Sequence, residues 1–543
     1  MTRISGQAFA LALFLFFTSS VAHAIPSGEL PSEELAGTPI DGGTVTFIIP
    51  TEPPHLLALI ESDGWMKEIT IPHLYEPLVV HDPHDDPDYR VAPRLAESWA
   101  VSPDHLTYTF KIRQGVRWHD GQPFSVDDVV FTFDKLMDPG VRAISLRNYF
   151  QDLAKWEKVD ATTFRLVYKK PYFLTLDTLV DVPIIPKHIF GAGDLNTHSS
   201  LRAPVGTGPF KFVSWEPGSK KIVYARNELY WGKKAHLDGL VFRIIEDRTV
   251  AAQVMERGDA DLYTFYTPDR WIKLDADLRF TKDYWPFKFF TANYVWIGWN
   301  EKRPFFADAR VRTAMTLLSN RPYFQDRIFK HLYVDHTCHF YWKSKDCDPT
   351  LAPLPYDVAR AQKLLAQAGW ADHDGDGVLD KDGVPFRFTF LFGNGSVLGE
   401  QIGTVLRDSL RKVGIVMDLQ KLEWSTFTNR LRNHAFDAST LVWSGAARGD
   451  PYQVWHSSQA ADGSNYISFN NKIADQLIEQ GRAEFDAEKR HGIYRAFGKV
   501  LYDEQPYTWL GTRAELGALR KRVRGATFNL KHWNFADWWI ASP

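Results

Sequence analysis

APRLAESWAVSPDHLTYTFKIRQGVRWHDGQPFSVDDVVFTF, residues 92–133, is the stretch on which the reading of this chain turns. Tyr108, Phe110 and Ile112 alternate with Thr107, Thr109, Lys111 and Arg113, the two-residue period of a strand with one buried face. Arg117-Trp118-His119 runs into Asp120-Gly121, a tight-turn pair that predicts a hairpin. Ser125, with Asp128 three residues on, makes a capping box ahead of Val129, Val130 and Phe131 and predicts a helix start. These periods specify a local α/β unit and nothing wider.

The amino terminus carries Arg3, an apolar run from Ala8 to Phe17 and the small-x-small triplet Ala22-His23-Ala24, so residues 1–24 are expected to be an export signal. That run is shorter than the roughly 20 residues of a membrane span. No cysteine follows the expected cut, so no lipid anchor is expected and the mature chain is expected to start near Ile25 outside the cytoplasm. Residues 25–42, rich in Pro, Ser, Glu and Gly without periodicity, are expected to form a loose leader. The 543 residues exceed the roughly 250–300 at which single cores stop growing, so more than one domain is expected.

A formal net charge of −3 with no lysine–arginine stripe argues against a nucleic-acid surface. Nineteen tryptophans is a high count, and such rings build cores or flat walls for peptides, sugars and amphipathic ligands. Cys338 and Cys347 are the only cysteines; in an oxidising compartment their simplest state is a disulfide closing HFYWKSKD. A loop this short contributes about 3 kcal/mol on the chain-entropy account. A zinc site is the weaker reading, because the thiols and His339 lack a second ligand pair at finger-like spacing.

From Gly43, GTVTFIIPTEPPHL predicts a first strand ending in a proline-rich loop. Further strands are predicted at 164–168, 208–214, 221–225 and 240–245, then a helix over 247–258. A second unit is expected to open with an aromatic strand at 289–300. Helices at 306–321, 357–368, 398–413 and 489–501 alternate with strands at 386–392, 414–419 and 436–443, which argues an α/β domain.

The words LAESW and YTFKIRQGVRWHDGQPFSVDDVVFTF, with VGTGPFKF from Val205, NELYWGKKAHLDGLVFRIIED from Asn227 and ERGDADLY from Glu256, closely resemble the family 5 extracellular solute-binding proteins. These are the peptide, oligopeptide and nickel receptors of ABC importers. The resemblance covers about residues 43–540 and implies a two-lobed periplasmic binding protein fold with hinge strands and a large first lobe. The first lobe is expected over 43–287, completed by 511–543, and the second over 288–510, with crossings near 283–290 and 506–515. It implies a monomeric periplasmic receptor without cofactor, serving an ABC permease in the inner membrane.

The same resemblance directs attention to LVWSGAARGDP, residues 441–451, where an aspartate in peptide-binding members pairs with the ligand's α-amino group. Asp450 is the expected anchor, since a desolvated ammonium needs a carboxylate. Asp-Pro also reads as a helix cap with Pro at the first turn, and the two roles are compatible. Trp443, beside Gly445, suits stacking on a ligand or the end of a core strand. Tyr466, in the family's GxNY word, is expected near the cleft, as are Tyr294, Trp296 and Asn300 on entry to the second lobe and Tyr507 and Trp509 on exit.

WADHDGDGVLDKDGVPF places Asp372, Asp374, Asp376 and Asp380 as in the first nine positions of a calcium loop, but Gly383 stands where the bidentate Glu belongs, so an acidic hairpin without metal is expected. HDPHDD at 81–86 reads as an exposed loop. No HExxH, GxSxG or P-loop word occurs, and no catalytic residue is assigned. The alternatives are a secreted glycosidase-like hydrolase using two carboxylates about 5–10 Å apart, or a receptor of this fold for an oligosaccharide, opine or nickel chelate.

Overall fold

The computed structural model describes residues 30, 37–60, 64–216, 218, 220–445, 448–528 and 533–541; the expected export signal and most of the leader lie outside them. The capping box forms as the local pattern predicts. Asp127 N donates to Ser125 Oγ (3.2 Å) and Ser125 N to Asp128 Oδ2 (2.9 Å), opening the helix Val126–Met137. Ahead of it the strand Thr107–Ile112 buries Tyr108, Phe110 and Ile112. It pairs antiparallel with Ala96–Val101 on one side and Thr163–Tyr168 on the other, within a four-stranded sheet.

Two larger sheets make the two lobes. The first has seven strands in the order Tyr284–Phe289, Glu515–Arg520, Leu262–Tyr263, Thr44–Ile49, Gly239–Ile244, Lys221–Arg226 and Phe210–Glu216. Its centre, TVTFII, is parallel to both neighbours and buries Val45, Phe47, Ile48 and Ile49, apolar residues that fall on both faces. The second has five strands in the order Val416–Leu422, Arg387–Gly393, Ala438–Ser444, Asn293–Trp299 and Tyr507–Trp509. Val295, Ile297 and Trp299 enter the core on one face of it, while Tyr294 and Trp296 enter the core on the other.

The strand predicted at 289–300 is Asn293–Trp299, and Phe289 belongs to a separate strand before it, in the other sheet. Tyr284–Phe289 pairs with Glu515–Arg520 in the first lobe and Asn293–Trp299 with Ala438–Ser444 in the second, so the chain crosses over three residues. An unbroken aromatic run fits either sheet, and the break carries no Gly or Pro. The return crossing lies between Trp509 and Glu515. The carboxyl-terminal segment thereby supplies the strand next to the edge of the first lobe's sheet. Cys338 and Cys347 are bonded to each other.

Candidate functional site

In open α/β sheets ligands bind beyond the carboxyl ends of the strands. The strands Arg387–Gly393, Val416–Leu422 and Ala438–Ser444 are mutually parallel and end toward the crossing, because Ser444 pairs with Asn293, where the chain arrives from the first lobe. Their following loops therefore line the crevice between the lobes. Gly445 N donates to the Ala292 carbonyl (2.7 Å), tying the loop after Ser444 to the crossing itself.

Trp443 stands at the end of its strand, partly exposed, with Tyr466 (5.6 Å, 27°) and Trp296 (5.9 Å, 23°) in near-parallel contact. Its Nε1 donates to the Tyr507 hydroxyl (3.2 Å), and Tyr507 stacks on Trp296 (4.3 Å, 6°). A flat aromatic wall results, with Trp443 and Tyr466 at its surface. Tyr294, Trp296 and Tyr507 are buried behind it. Asn300 and Trp509 do not fit the expected contact role. Asn300 lies beyond the far end of a seven-residue strand, roughly 20 Å from the crossing at about 3.3 Å per residue. There its Nδ2 donates to the carbonyls of His434 (3.1 Å) and Phe436 (2.7 Å). Trp509 is packed in the core beside Trp455.

Behind the wall, His339 Nδ1 accepts from Trp455 Nε1 and from the Tyr294 hydroxyl, both at 2.9 Å, and burial pushes this imidazole down to about 3. Between that value and the unfolded value near 6.5 only the unfolded chain binds the proton. The stabilisation is therefore complete above pH 6.5 and is lost as pH falls, at about 1.4 kcal/mol per pH unit for this group. Urea titrations at pH 7 and pH 5 are expected to show a larger loss of stability for the natural chain than for His339→Gln.

Asp450 has three partners within the chain. It accepts from Tyr452 N (3.0 Å), from the Tyr172 hydroxyl (3.0 Å) and from Arg482 Nε (2.9 Å). Burial disfavours the Arg482 charge, but Asp450 and the adjoining tyrosines outweigh it and hold the guanidinium above its ordinary value. Arg448 Nη1 reaches Asp177 Oδ2 (3.0 Å), and Asp177 Oδ1 meets His81 Nε2 (3.0 Å). The 81–86 segment is an exposed loop as expected over His84 and Asp86, while His81 at its start is buried and Asp86 pairs with Lys343 (2.6 Å). Asp372, Asp374 and Asp376 do lie together, all exposed, and Asp372 accepts from Gly375 N (2.7 Å) and Gly377 N (3.0 Å) as a turn-former does.

Sequence reading missed Tyr172, Asp177 and Arg482, whose partners are 32 to 278 positions away. It also missed Trp424, which is 56% exposed and borders a cavity of about 250 Å³ with Val295, Gly393, Ser396, Thr440 and Val442. A tryptophan opening a helix directly after a parallel strand was the available signal. A second cavity, about 290 Å³, lies against the disulfide.

The profile of bacterial extracellular solute-binding proteins, family 5 Middle, matches residues 90–465. The chain is 30% identical over 545 residues to the oligopeptide-binding protein AppA of Bacillus subtilis, covering 98% of this chain and 97% of that one. It is 26% identical over 468 residues to the dipeptide-binding protein of Escherichia coli, covering 80% and 83%. The solved structure of Bacillus subtilis AppA in complex with a nonapeptide matches with a TM-score of 0.76 at 28% identity, covering 93% of this chain and 100% of that one. HbpA2 from Haemophilus parasuis, at 22% identity over 92% of this chain and 100% of its own, has the same fold, with a TM-score of 0.80. Matched by the family over residues 90–465 and by a relative over nearly its whole length, and folded as two lobes joined by two crossings, this chain belongs to the bacterial extracellular solute-binding proteins of family 5.

Proposed function

We propose that this protein is the periplasmic receptor of an ABC importer, which takes a di- or oligopeptide into the crevice, closes over it and delivers it to a membrane permease. The observation that carries the reading is the aromatic wall of Trp443 and Tyr466 at the carboxyl ends of the second lobe's strands, beside the crossings. Bacillus subtilis AppA, a relative over nearly the whole length, is an oligopeptide-binding protein. The bodies that move are residues 43–287 with 511–543 against 288–510, pivoting where the chain leaves one sheet for the other. Closure of this kind is a shift between open and closed states driven by ligand contacts made only in the closed one. Micromolar affinity corresponds to about −8 kcal/mol, shared between closure and contact.

A hydrolase would need two carboxylates free to act on substrate. At this crevice Asp177 and Asp450 are each matched by an arginine of the chain, which supports the receptor reading. Native mass spectrometry of the purified protein is expected to show a peptide-sized adduct that leaves unchanged. Trp443→Ala is expected to weaken peptide binding by about five- to 150-fold, since a buried aromatic contact is worth roughly 1–3 kcal/mol, read by calorimetric titration. Cleaved peptides, or no binding across di- to decapeptides, would overturn the reading.

A further inference from the structure

We propose that residues 172–174 of the first lobe form a latch that the receptor itself supplies, and that Asp450 serves this latch rather than a ligand's amino group. Phe173 and Leu174 are buried in the same apolar cluster as Trp296, Tyr494 and Phe497 of the second lobe. The Phe173 ring meets Tyr494 edge-on (6.0 Å, 63°), and the Arg490 guanidinium lies 4.5 Å from its centre. Phe173 N donates to the Arg482 carbonyl (3.2 Å), and the Tyr172 hydroxyl donates to Asp450. The Arg448–Asp177 pair flanks the insertion.

Both halves are shaped in advance. On the first lobe, Thr175 N (3.1 Å) and Thr175 Oγ1 (2.7 Å) donate to the Tyr172 carbonyl and fix the turn that presents the two rings. On the second, Arg482 belongs to the helix Lys472–Ala483, and Arg490 and Tyr494 to the helix Ala487–Glu504. Arg482 is also held over the Tyr452 ring (4.2 Å), so an arriving ammonium would have to displace a positioned guanidinium from Asp450.

Contacts of this type exist only with the lobes together, so they raise the closed fraction. Apparent affinity scales with that fraction for every ligand alike. An amine anchor behaves differently, because its loss spares ligands without a free amine. The inference rests on the closing receptor proposed above, but its first readout needs no ligand.

Single-molecule energy transfer between one dye on each lobe of the ligand-free protein is the test. Phe173→Ala is expected to lower the closed-to-open ratio by at least about tenfold, the effect of exposing one buried ring. Tyr172→Phe, which removes a single hydroxyl and preserves packing, is expected to lower it by about two- to fivefold. Asp450→Asn is expected to weaken binding of a free-amine tripeptide and of its acetylated form by equal factors. Unchanged lobe distances in both latch variants, or a loss confined to the free-amine peptide, would overturn the proposal. Should no peptide bind, the distance readout still decides the latch, and the receptor reading alone fails.

Discussion

Gly206→Ala is expected to unfold the first lobe, at a cost of more than about 3 kcal/mol, because there is no direction in which the added methyl can move. A Cβ at Gly206 would lie 1.9 Å from the Leu74 carbonyl oxygen and 2.6 Å from its carbon, both backbone atoms. Retreat is blocked by four hydrogen bonds around the same loop. His119 N donates to the Gly206 carbonyl (2.8 Å), Gly206 N to His119 Nδ1 (3.1 Å), Gly208 N to the Leu74 carbonyl (2.8 Å) and Phe210 N to the His73 carbonyl (3.1 Å). The word VGTGPFKF thus has a steric meaning: two segments of backbone touch, and only hydrogen fits between them. The control is Gly492→Ala, in the interior of the helix Ala487–Glu504, where an added Cβ would meet open space. It is expected to gain about 0.5–1 kcal/mol from helix propensity. Urea unfolding followed by circular dichroism separates the two outcomes.

Arg94→Met carries the second large effect. Glu76 is completely buried, with Arg94 Nε at 2.5 Å, the Tyr230 hydroxyl at 2.8 Å and Trp231 Nε1 at 2.9 Å. Methionine keeps most of the Arg94 side-chain volume but removes the only cation paired with this carboxylate among the described residues. A buried charge left without its partner costs about 3–5 kcal/mol. The physical cause is checked by the double variant Glu76→Gln with Arg94→Met. With the charge gone from both sides, it is expected to be more stable than Arg94→Met alone. A double variant that is worse by the full sum of the single losses would show that packing, not charge, dominates here.

How far the sequence reached can be judged element by element. The helix predicted over 357–368 is Val358–Gln367, capped by Asp357, and that predicted over 247–258 is Arg248–Glu256, capped by Asp247. Both are marked by a side chain that satisfies backbone donors within three residues, so the information is local. The disulfide was equally legible, since two cysteines allow one pairing. The Asp450 loop was legible as a place, but the partners of Asp450 were not. Its strand end, glycine and Asp-Pro turn are local features, whereas Arg482 and Tyr172 reach it from another helix and another lobe. The aromatic candidates divided by depth. Period-two alternation puts Tyr294 and Trp296 on one face, and it does not say that helices cover that face.

On its own, then, the amino-acid order determined the elements, their caps, the crosslink and the family, because each rests on contacts within a few residues or on words long enough to be distinctive. The assembled chain decided which sheet received each half of the aromatic run at 284–299, which tryptophan stays partly exposed and which is buried, and what neutralises Asp450. With 63 basic and 66 acidic side chains, no local pattern selects one ion pair over another. That selection is made when packing removes particular charges from water and makes an unpaired one too costly to keep.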